Sequence, residues 1–365
     1  MYLALYRKFR PTSFDKVIGQ EHITKTLQNQ IKNDQIGHAY LFCGSRGTGK
    51  TTCAKVFARA INCLSPKSGS PCGECEACRA LKENNAIDII EIDAASNNGV
   101  EEIRDLRDKV KYPPTVGKYK VYIIDEVHML TQNAFNALLK TLEEPPAHAV
   151  FILATTEVHK LPATILSRVL RFDFKLIPTE QIADLIARVF SESNIKSEPK
   201  ANMLIASAGE GSVRDALSIA DMCASFANND IHYDDVVEVL GVSDAKTIAK
   251  LGVAILDEEI KDFFVTFEEL CKLGKNILVL ANDLTKFFRD LLVTKTCGVE
   301  ALPDDVDKDF GEQLKNLSGK YDLAKLNNAM QAFSKIEAEL KYSLNPKLLV
   351  ETTALSLLSA EVKKN

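Results

Sequence analysis

Eight residues of this chain, Gly44-Ser45-Arg46-Gly47-Thr48-Gly49-Lys50-Thr51, fit G-x-x-x-x-G-K-[ST] without a mismatch. The chemistry such a run supports is polyphosphate binding. Glycines let the backbone wrap an anion and turn N–H groups inward. Lys50 can reach the β- and γ-phosphates, and the Thr51 hydroxyl can ligate Mg²⁺. The run and Thr52 after it are expected to line the phosphate site. The bland alternative is a chance Gly-rich turn, and the flanks argue against it. Ala39-Tyr40-Leu41-Phe42-Cys43 reads as a short buried strand. Thr52 to Asn62 reads as a helix with Ala54, Phe57, Ala58 and Ile61 on one face. That helix starts at the loop, so its dipole also favours an anion.

A second constellation complements the first. Val121-Tyr122-Ile123-Ile124-Asp125-Glu126 is an apolar strand ending in two carboxylates. At the C-terminal end of a parallel strand they would sit beside the phosphate loop. Asp125 is suited to orient Mg²⁺ through water, and Glu126 to polarise an attacking water as general base. The alternative is a solvated strand end. His128 follows in the same loop and reads as a bystander. Ser167-Arg168 precedes the last strand of this region, at the far edge of the sheet and away from the loop. There an Arg is either a surface charge or a group acting in trans. Arg214, in Gly211-Ser212-Val213-Arg214-Asp215-Ala216, sits near the start of a later helix.

Four of the nine cysteines, Cys63, Cys72, Cys75 and Cys78, fall in one Gly/Pro/Ser-rich stretch. Four thiolates give a closed tetrahedral zinc site with no position left for catalysis. An iron–sulfur cluster is the chemical rival. Cys43, Cys53, Cys223, Cys271 and Cys297 stand among apolar neighbours and read as small buried hydrophobes. An odd count argues against a disulfide framework.

These groups need elements to hold them. The first part alternates strand and helix, which implies a parallel sheet covered on both faces. Strands are expected at 39–43, 87–92, 119–124, 149–154 and 169–174. Helices are expected from Val100 to about Val110 and from an N-cap at Thr131 to Glu144, where Pro145-Pro146 ends the run. After Pro178 the spacing is helical throughout, in 179–192, 199–227 and 233–240, with Gly241 as a terminator. The fold class is therefore an α/β phosphate-loop domain, then a helical lid and an all-helical C-terminal domain. The expected boundaries are 1–178 with its cysteine insert at 63–78, 179–242, and 243–365. A polar break is expected near Gly298 to Asp309.

With 365 residues, 46% of them hydrophobic and 26% charged, the chain has material for two or three cores. A net charge of −5 gives no global sign of nucleic-acid binding, so any such surface is a local patch or is completed by partners. No apolar run spans a bilayer, and the opening residues do not read as a signal peptide, so a cytoplasmic location with no membrane association is expected.

Taken together, these residues resemble the bacterial DNA polymerase III γ/τ family, the AAA+ ATPases of the sliding-clamp loader. The resemblance runs over essentially the whole chain. It is carried by Arg7-Lys8-Phe9-Arg10-Pro11, Val17-Ile18-Gly19-Gln20, the phosphate loop, the four-cysteine insert and Asp93-Ala94-Ala95-Ser96. Asp125-Glu126-Val127-His128-Met129-Leu130, the run Ala137 to Pro146, Ala154-Thr155-Thr156, Leu166-Ser167-Arg168 and Gly211 to Ala216 continue it. The cysteine insert discriminates most, since other clamp-loader small subunits lack it. The resemblance implies an ATPase acting within the polymerase III holoenzyme, with ATP, Mg²⁺ and Zn²⁺ as cofactors. It implies partners too: delta, delta-prime and further gamma/tau copies, the sliding clamp, and primer–template DNA. Tyr6, Arg10, Pro11, Val17 and Ile18 would line the adenine pocket. Thr156 would sense the γ-phosphate, Arg214 would couple the lid to nucleotide, and Arg168 would reach into a neighbour's site. Two departures stand out. Val169 replaces the family's usual Cys after Ser-Arg. Asn97, Asn98 and Gly99 stand where relatives often carry basic residues for DNA, leaving Lys140 as a basic candidate. The alternatives of different class are a ring-forming DNA motor (helicase or branch migration) and a non-hydrolysing scaffold of the same assembly.

Overall fold

The computed structural model describes residues 3–81, 87–241, 245–302, 306 and 308–359. The expected boundary at 242–243 and part of the polar break near 298–309 lie outside the described residues. The chain divides into two compact units, Met1–Ser225 and Phe226–Asn365.

The first unit is built on a five-stranded sheet: β1 (Ala39–Cys43), β2 (Ile89–Asp93), β3 (Lys120–Asp125), β4 (Ala149–Thr155) and β5 (Leu170–Asp173). Its order is β2-β3-β4-β1-β5, with parallel pairing throughout. The middle strands read as unbroken apolar runs because both faces are covered. Alternate residues then divide between two cores. Tyr40, Phe42, Val121, Ile123, Val150 and Ile152 face helices α1 (Glu21–Lys32) and α2 (Lys50–Ile61), packing with Ile23, Leu27 and Phe57. Leu41, Tyr122, Ile124, Phe151 and Leu153 face α3 (Val100–Val110) and α4 (Gln132–Glu143), packing with Leu106, Phe135 and Leu138. Thr131 caps α4, its hydroxyl accepting from Ala134 N at 3.3 Å.

Register decides what lies at the chemically useful end. Cys43 pairs with Thr155 and with Asp173, and Asp93 with Asp125. The C-terminal ends of all five strands therefore form one rim. β5 is an edge strand, yet it lies beside β1, the strand that feeds the phosphate loop. Arg168 precedes β5, so its distance from the loop arises along the strands and not across the sheet.

Three further helices complete this unit: α5 (Thr179–Glu192), α6 (Pro199–Ala208) and α7 (Val213–Phe226). The helical spacing over 199–227 is interrupted between α6 and α7, where Glu210 and Gly211 both take positive φ. The second unit is helical, including α8 (Tyr233–Leu240), α9 (Ala245–Leu256), α10 (Ile260–Lys272), α11 (Ile277–Cys297), α12 (Lys308–Ser318), α13 (Leu323–Leu340) and α14 (Pro346–Ser359). Gly241 ends α8 in the left-handed conformation. Its core centres on Leu284, Phe288 and Leu291 against Phe333 and Ile336. Cys43, Cys53 and Cys223 are buried as expected, and burial pushes the Cys43 and Cys53 thiols up to about 11 and about 12. Cys271 is only half-buried. Cys297 departs from the expectation: it is the last residue of α11 and is exposed.

β3 is anchored at its base by two buried polar side chains. Asp88 accepts from Thr115 N, Val116 N and Gly117 N at 2.7, 2.6 and 2.9 Å. Asn62 accepts from Tyr119 N at 2.7 Å and donates to Tyr119 O at 3.0 Å. Removing the Asp88 carboxylate strands three amides, so Asp88→Ala should cost about 2–3 kcal/mol. Thermal unfolding checks this: a melting midpoint equal to that of the parent chain would contradict the anchor.

Candidate functional site

The loop Gly44–Thr51 leaves β1 at the rim and turns into α2. Its shape requires absent side chains at two points. A Cβ on Gly44 would stand 2.4 Å from Phe174 O, and one on Gly47 would stand 1.8 Å from Ser212 Oγ. Thr48 Oγ1 closes the turn by donating to Ser45 O at 2.8 Å. Lys50 is only 6% exposed. Its ammonium donates to Gly44 O at 2.7 Å and Ser45 O at 2.8 Å. Burial pulls the Lys50 pKa below its ordinary value, and the nearby charges of Glu126 and Asp125 oppose that pull. The first N–H groups of α2 have no partner within the helix, so they remain available to an anion.

The two carboxylates are where the strand pattern put them. Thr51 Oγ1 donates to Asp125 Oδ2 at 2.6 Å, and Asp125 Oδ1 accepts from Glu126 N at 3.0 Å. Glu126 takes a left-handed backbone conformation, with φ 47°. Its Oε2 accepts from Thr156 Oγ1 at 3.1 Å and Thr156 N at 3.3 Å. β3, β4 and α2 thus bring Lys50, Thr51, Asp125, Glu126 and Thr156 together.

Above the loop lies a cleft of about 180 Å³. Tyr6, Arg10, Pro11, Val17 and Ile18 line it, together with residues 46–52, Asp125, Glu126 and Arg214. The Arg214 guanidinium lies over the Tyr6 ring, 5.4 Å from its centroid. The structure adds residues that local spacing did not single out. Ile177, Leu185, Val213 and Leu217 supply apolar wall, and they come from separate helices and a linker. Gln20 is fully buried and joins Lys175 to the loop, donating to Lys175 O at 2.8 Å and to Thr48 O at 3.4 Å. Only its place in Val17-Ile18-Gly19-Gln20 hinted at this. His128, read from the sequence as a bystander, contacts both Glu126 and Glu157.

Arg168 stays apart from this cluster. It donates to Thr164 O at 2.8 Å and pairs with Glu143 at 2.9 Å. A separate groove, lined by Gly37, His38, Glu143 and Arg168 among others, contains that pair. Asn97, Asn98 and Lys140 are exposed, and Gly99, half-buried, opens α3.

The four clustered cysteines converge. Their sulfurs all lie within 4.8 Å of one another. Cys63 and Cys75 are 3.9 Å apart, as are Cys72 and Cys78. Tetrahedral thiolates at ~2.3 Å from one ion would be about 3.8 Å apart. A cluster of several irons would hold them further apart. Backbone amides of Cys72, Cys75 and Cys78 donate to the sulfurs of Cys63, Cys72 and Cys75 at 3.3, 3.4 and 3.4 Å. The amides of Glu74 and Cys75 bring the Cys72 thiol down to about 6.

Three family models match in succession. They describe the DNA polymerase III delta subunit (residues 19–178), the DNA polymerase III clamp loader ATPase lid domain (181–229), and domain III of DNA polymerase III subunits gamma and tau (231–364). DNA polymerase III subunit tau of Bacillus subtilis is 45% identical over 98% of this chain and 63% of its own length. DNA polymerase III subunit tau of Escherichia coli is 46% identical over 70% of this chain and 40% of its own length. DNA polymerase III subunit gamma of Buchnera aphidicola is 38% identical over 81% of each chain. The chain thus spans less than two thirds of the tau relatives. Among solved structures, the RuvB Holliday junction branch migration motor of Thermotoga maritima superposes with a TM-score of 0.50 at 22% identity, covering 67% of this chain and 79% of that one. At that identity the likeness is one of fold alone. Among the described residues no helix is long and apolar enough to cross a membrane.

The Gly47–Ser212 approach makes a structural prediction. Gly47→Ala introduces a clash and left-handed strain worth about 1–2 kcal/mol on its own. Its melting midpoint should fall, and Ser212→Gly in the same chain should restore the part due to the clash. A double variant no more stable than Gly47→Ala would show that the lid does not seat on the loop this way.

Proposed function

The chain belongs to the DNA polymerase III gamma/tau family, and on that premise we propose that it is the ATP-hydrolysing subunit of a replicative clamp loader. One observation carries the reading: Lys50, Thr51, Asp125, Glu126 and Thr156 meet at a single strand rim under a cleft bordered by Arg214. An ammonium, a hydroxyl–carboxylate pair and a second carboxylate are the parts that phosphoryl transfer to water requires.

In this reading the adenine lies against Tyr6, Arg10, Pro11, Val17 and Ile18. The loop amides and Lys50 hold the phosphates. Thr51 and Asp125 would hold Mg²⁺, which would supply positive charge against the charge developing on the phosphates. Glu126 orients and deprotonates the attacking water, Thr156 reads the γ-phosphate, and Arg214 couples the lid to it. Arg168 is too far from its own loop to serve there, so it completes a neighbour's site. Residues 1–178 form the motor, 179–242 the lid and 243–365 the collar that assembles subunits. Its partners are delta, delta-prime and other gamma/tau copies, the sliding clamp and primer–template DNA, and its place is the cytoplasm. The 97–99 loop and Lys140 are the candidates for DNA contact. ATP closes the lid because only the γ-phosphate bridges loop, sensors and the neighbouring Arg168. Hydrolysis, triggered by DNA, releases the clamp.

The cysteine cluster fits structural zinc on sulfur spacing and on its amide–sulfur bonds. Cys63, Cys72, Cys75 and Cys78 would hold the ion, which orders a segment with few apolar side chains of its own. Structural zinc is worth about 10–16 kcal/mol in free peptides, enough to fold such a segment outright. Purified protein should therefore carry one zinc per chain by elemental analysis, lost in Cys75→Ser. An iron chromophore, or no metal, would reject this assignment.

The motor reading is tested by ATP turnover with clamp, primed DNA and partner subunits. Lys50→Ala should lose nucleotide binding. Arg168→Ala should keep binding while stimulated turnover drops on the order of a thousandfold. Full turnover by Arg168→Ala would end the interfacial model. Strand displacement by the parent chain with no clamp requirement would instead favour a DNA-translocating motor.

A further inference from the structure

His128 occupies a position that neither the phosphate loop nor the carboxylate pair explains. Its side chain is 6% exposed. Nδ1 lies 3.0 Å from Thr155 Oγ1 and 3.4 Å from Glu126 Oε2. Nε2 lies 3.2 Å from Glu157 Oε1. One imidazole therefore stands between the carboxylate at the end of β3 and the loop that follows β4. That loop is itself tied together: Thr155 Oγ1 accepts from Glu157 N at 3.0 Å, and Lys160 pairs with Glu157 at 2.9 Å. The other side is equally fixed. Val127 is fully buried, and Met129 N donates to Glu126 O at 2.9 Å.

Thr156 creates the need for such a brace. Its hydroxyl carries one proton and can donate it to one acceptor at a time. Here that acceptor is Glu126 Oε2. A Thr156 that turns to a γ-phosphate oxygen must release Glu126 at the moment its direction toward the attacking water matters. The neighbours left beside the same oxygen are the Thr156 amide, at 3.3 Å, and one side chain, His128, whose Nδ1 is at 3.4 Å.

We propose that His128 is a positioning residue that keeps the Glu126 carboxylate aimed while Thr156 exchanges it for phosphate, an inference that rests on the roles given above to Glu126 and Thr156. The Nδ1 side, which also meets Thr155 Oγ1, does this work, and Glu157 holds the ring from Nε2. The two amide variants separate the sides. His128→Asn retains a polar nitrogen near the Nδ1 position, His128→Gln retains one nearer Nε2, and His128→Ala retains neither.

The experiment measures nucleotide affinity and steady-state turnover of the assembled loader, with clamp and primed DNA, for the parent chain and all three variants. His128→Ala and His128→Gln should lose on the order of tenfold or more in kcat, a part of the roughly 10²–10⁴-fold that a positioned general base contributes. Nucleotide affinity should stay within about twofold, because no phosphate contact is touched. His128→Asn should keep most of kcat. Unimpaired turnover in His128→Ala would overturn the inference. So would equal loss in the Asn and Gln variants, or a loss of affinity parallel to the loss of turnover. Asn and Gln share one chemistry, so their comparison stands even if His128→Ala folds poorly. A parent chain without stimulated turnover would overturn the motor reading itself, which these variants alone cannot do.

Discussion

A desolvated ammonium at the end of a parallel sheet is the constraint on which the first unit depends. Taking a charge out of water costs several kcal/mol unless acceptors replace the water. Lys50 is 6% exposed, and Gly44 O and Ser45 O accept from it. Gly44, which supplies one of those carbonyls, adopts φ 142°, and a Cβ there would meet Phe174. Glu126 and Asp125 offset part of the cost of burial through charge. The two carboxylates suit a cation, while Arg10, Arg46 and Arg214 line the same cleft as Lys50 and keep it favourable to an anion.

The lid helices contribute by contact with the loop's backbone. Ser212 touches Gly47, and Gln20 joins Thr48 to Lys175 just before α5. Arg214 rests on Tyr6 across the cleft. A loop packed as closely as this transmits a change of occupancy, since close-packed neighbours shift together rather than deform. Tyr6 and Arg214 also lie where a base and a phosphate would compete for them. On the proposed reading, ligand binding and lid position would be coupled through these same side chains.

Legibility in the sequence followed the reach of local rules. The five strands, α3 and the Thr131 cap were readable because apolar runs and N-cap chemistry are encoded within a few residues. Lys50, Thr51, Asp125 and Glu126 were readable because a loop between strand and helix has one way to turn. Ile177, Leu185 and Leu217 were not, because nothing in their spacing distinguishes a cleft wall from a helix core. His128 and Gln20 were missed for the opposite reason. Each is a single polar residue with hydrogen-bond partners 27 to 155 positions away, and register across the sheet, not sequence neighbourhood, brings those partners in, although Glu126 is two positions from His128. Arg168 was legible as remote from the loop, but the direction of that separation needed the strand order. Cys297 escaped because a helix end gives no sign in sequence of which way it faces.

The pair between Arg168 and Glu143 raises a question of balance for a finger that acts in trans. The guanidinium already has a carboxylate at 2.9 Å, and engagement with a neighbour would take it away. Its side chain is 34% exposed and that of Glu143 48%. Ion pairs this open to water are worth about 0–1 kcal/mol. A finger that accelerates phosphoryl transfer 10³–10⁵-fold draws about 4–7 kcal/mol from the transition state. The inequality runs strongly one way, so Glu143 orients Arg168 without trapping it. The pair also fixes a long side chain before a neighbour arrives, which lowers the rotamer entropy lost on engagement. On the proposed reading, a carboxylate beside the finger is therefore compatible with fast hydrolysis.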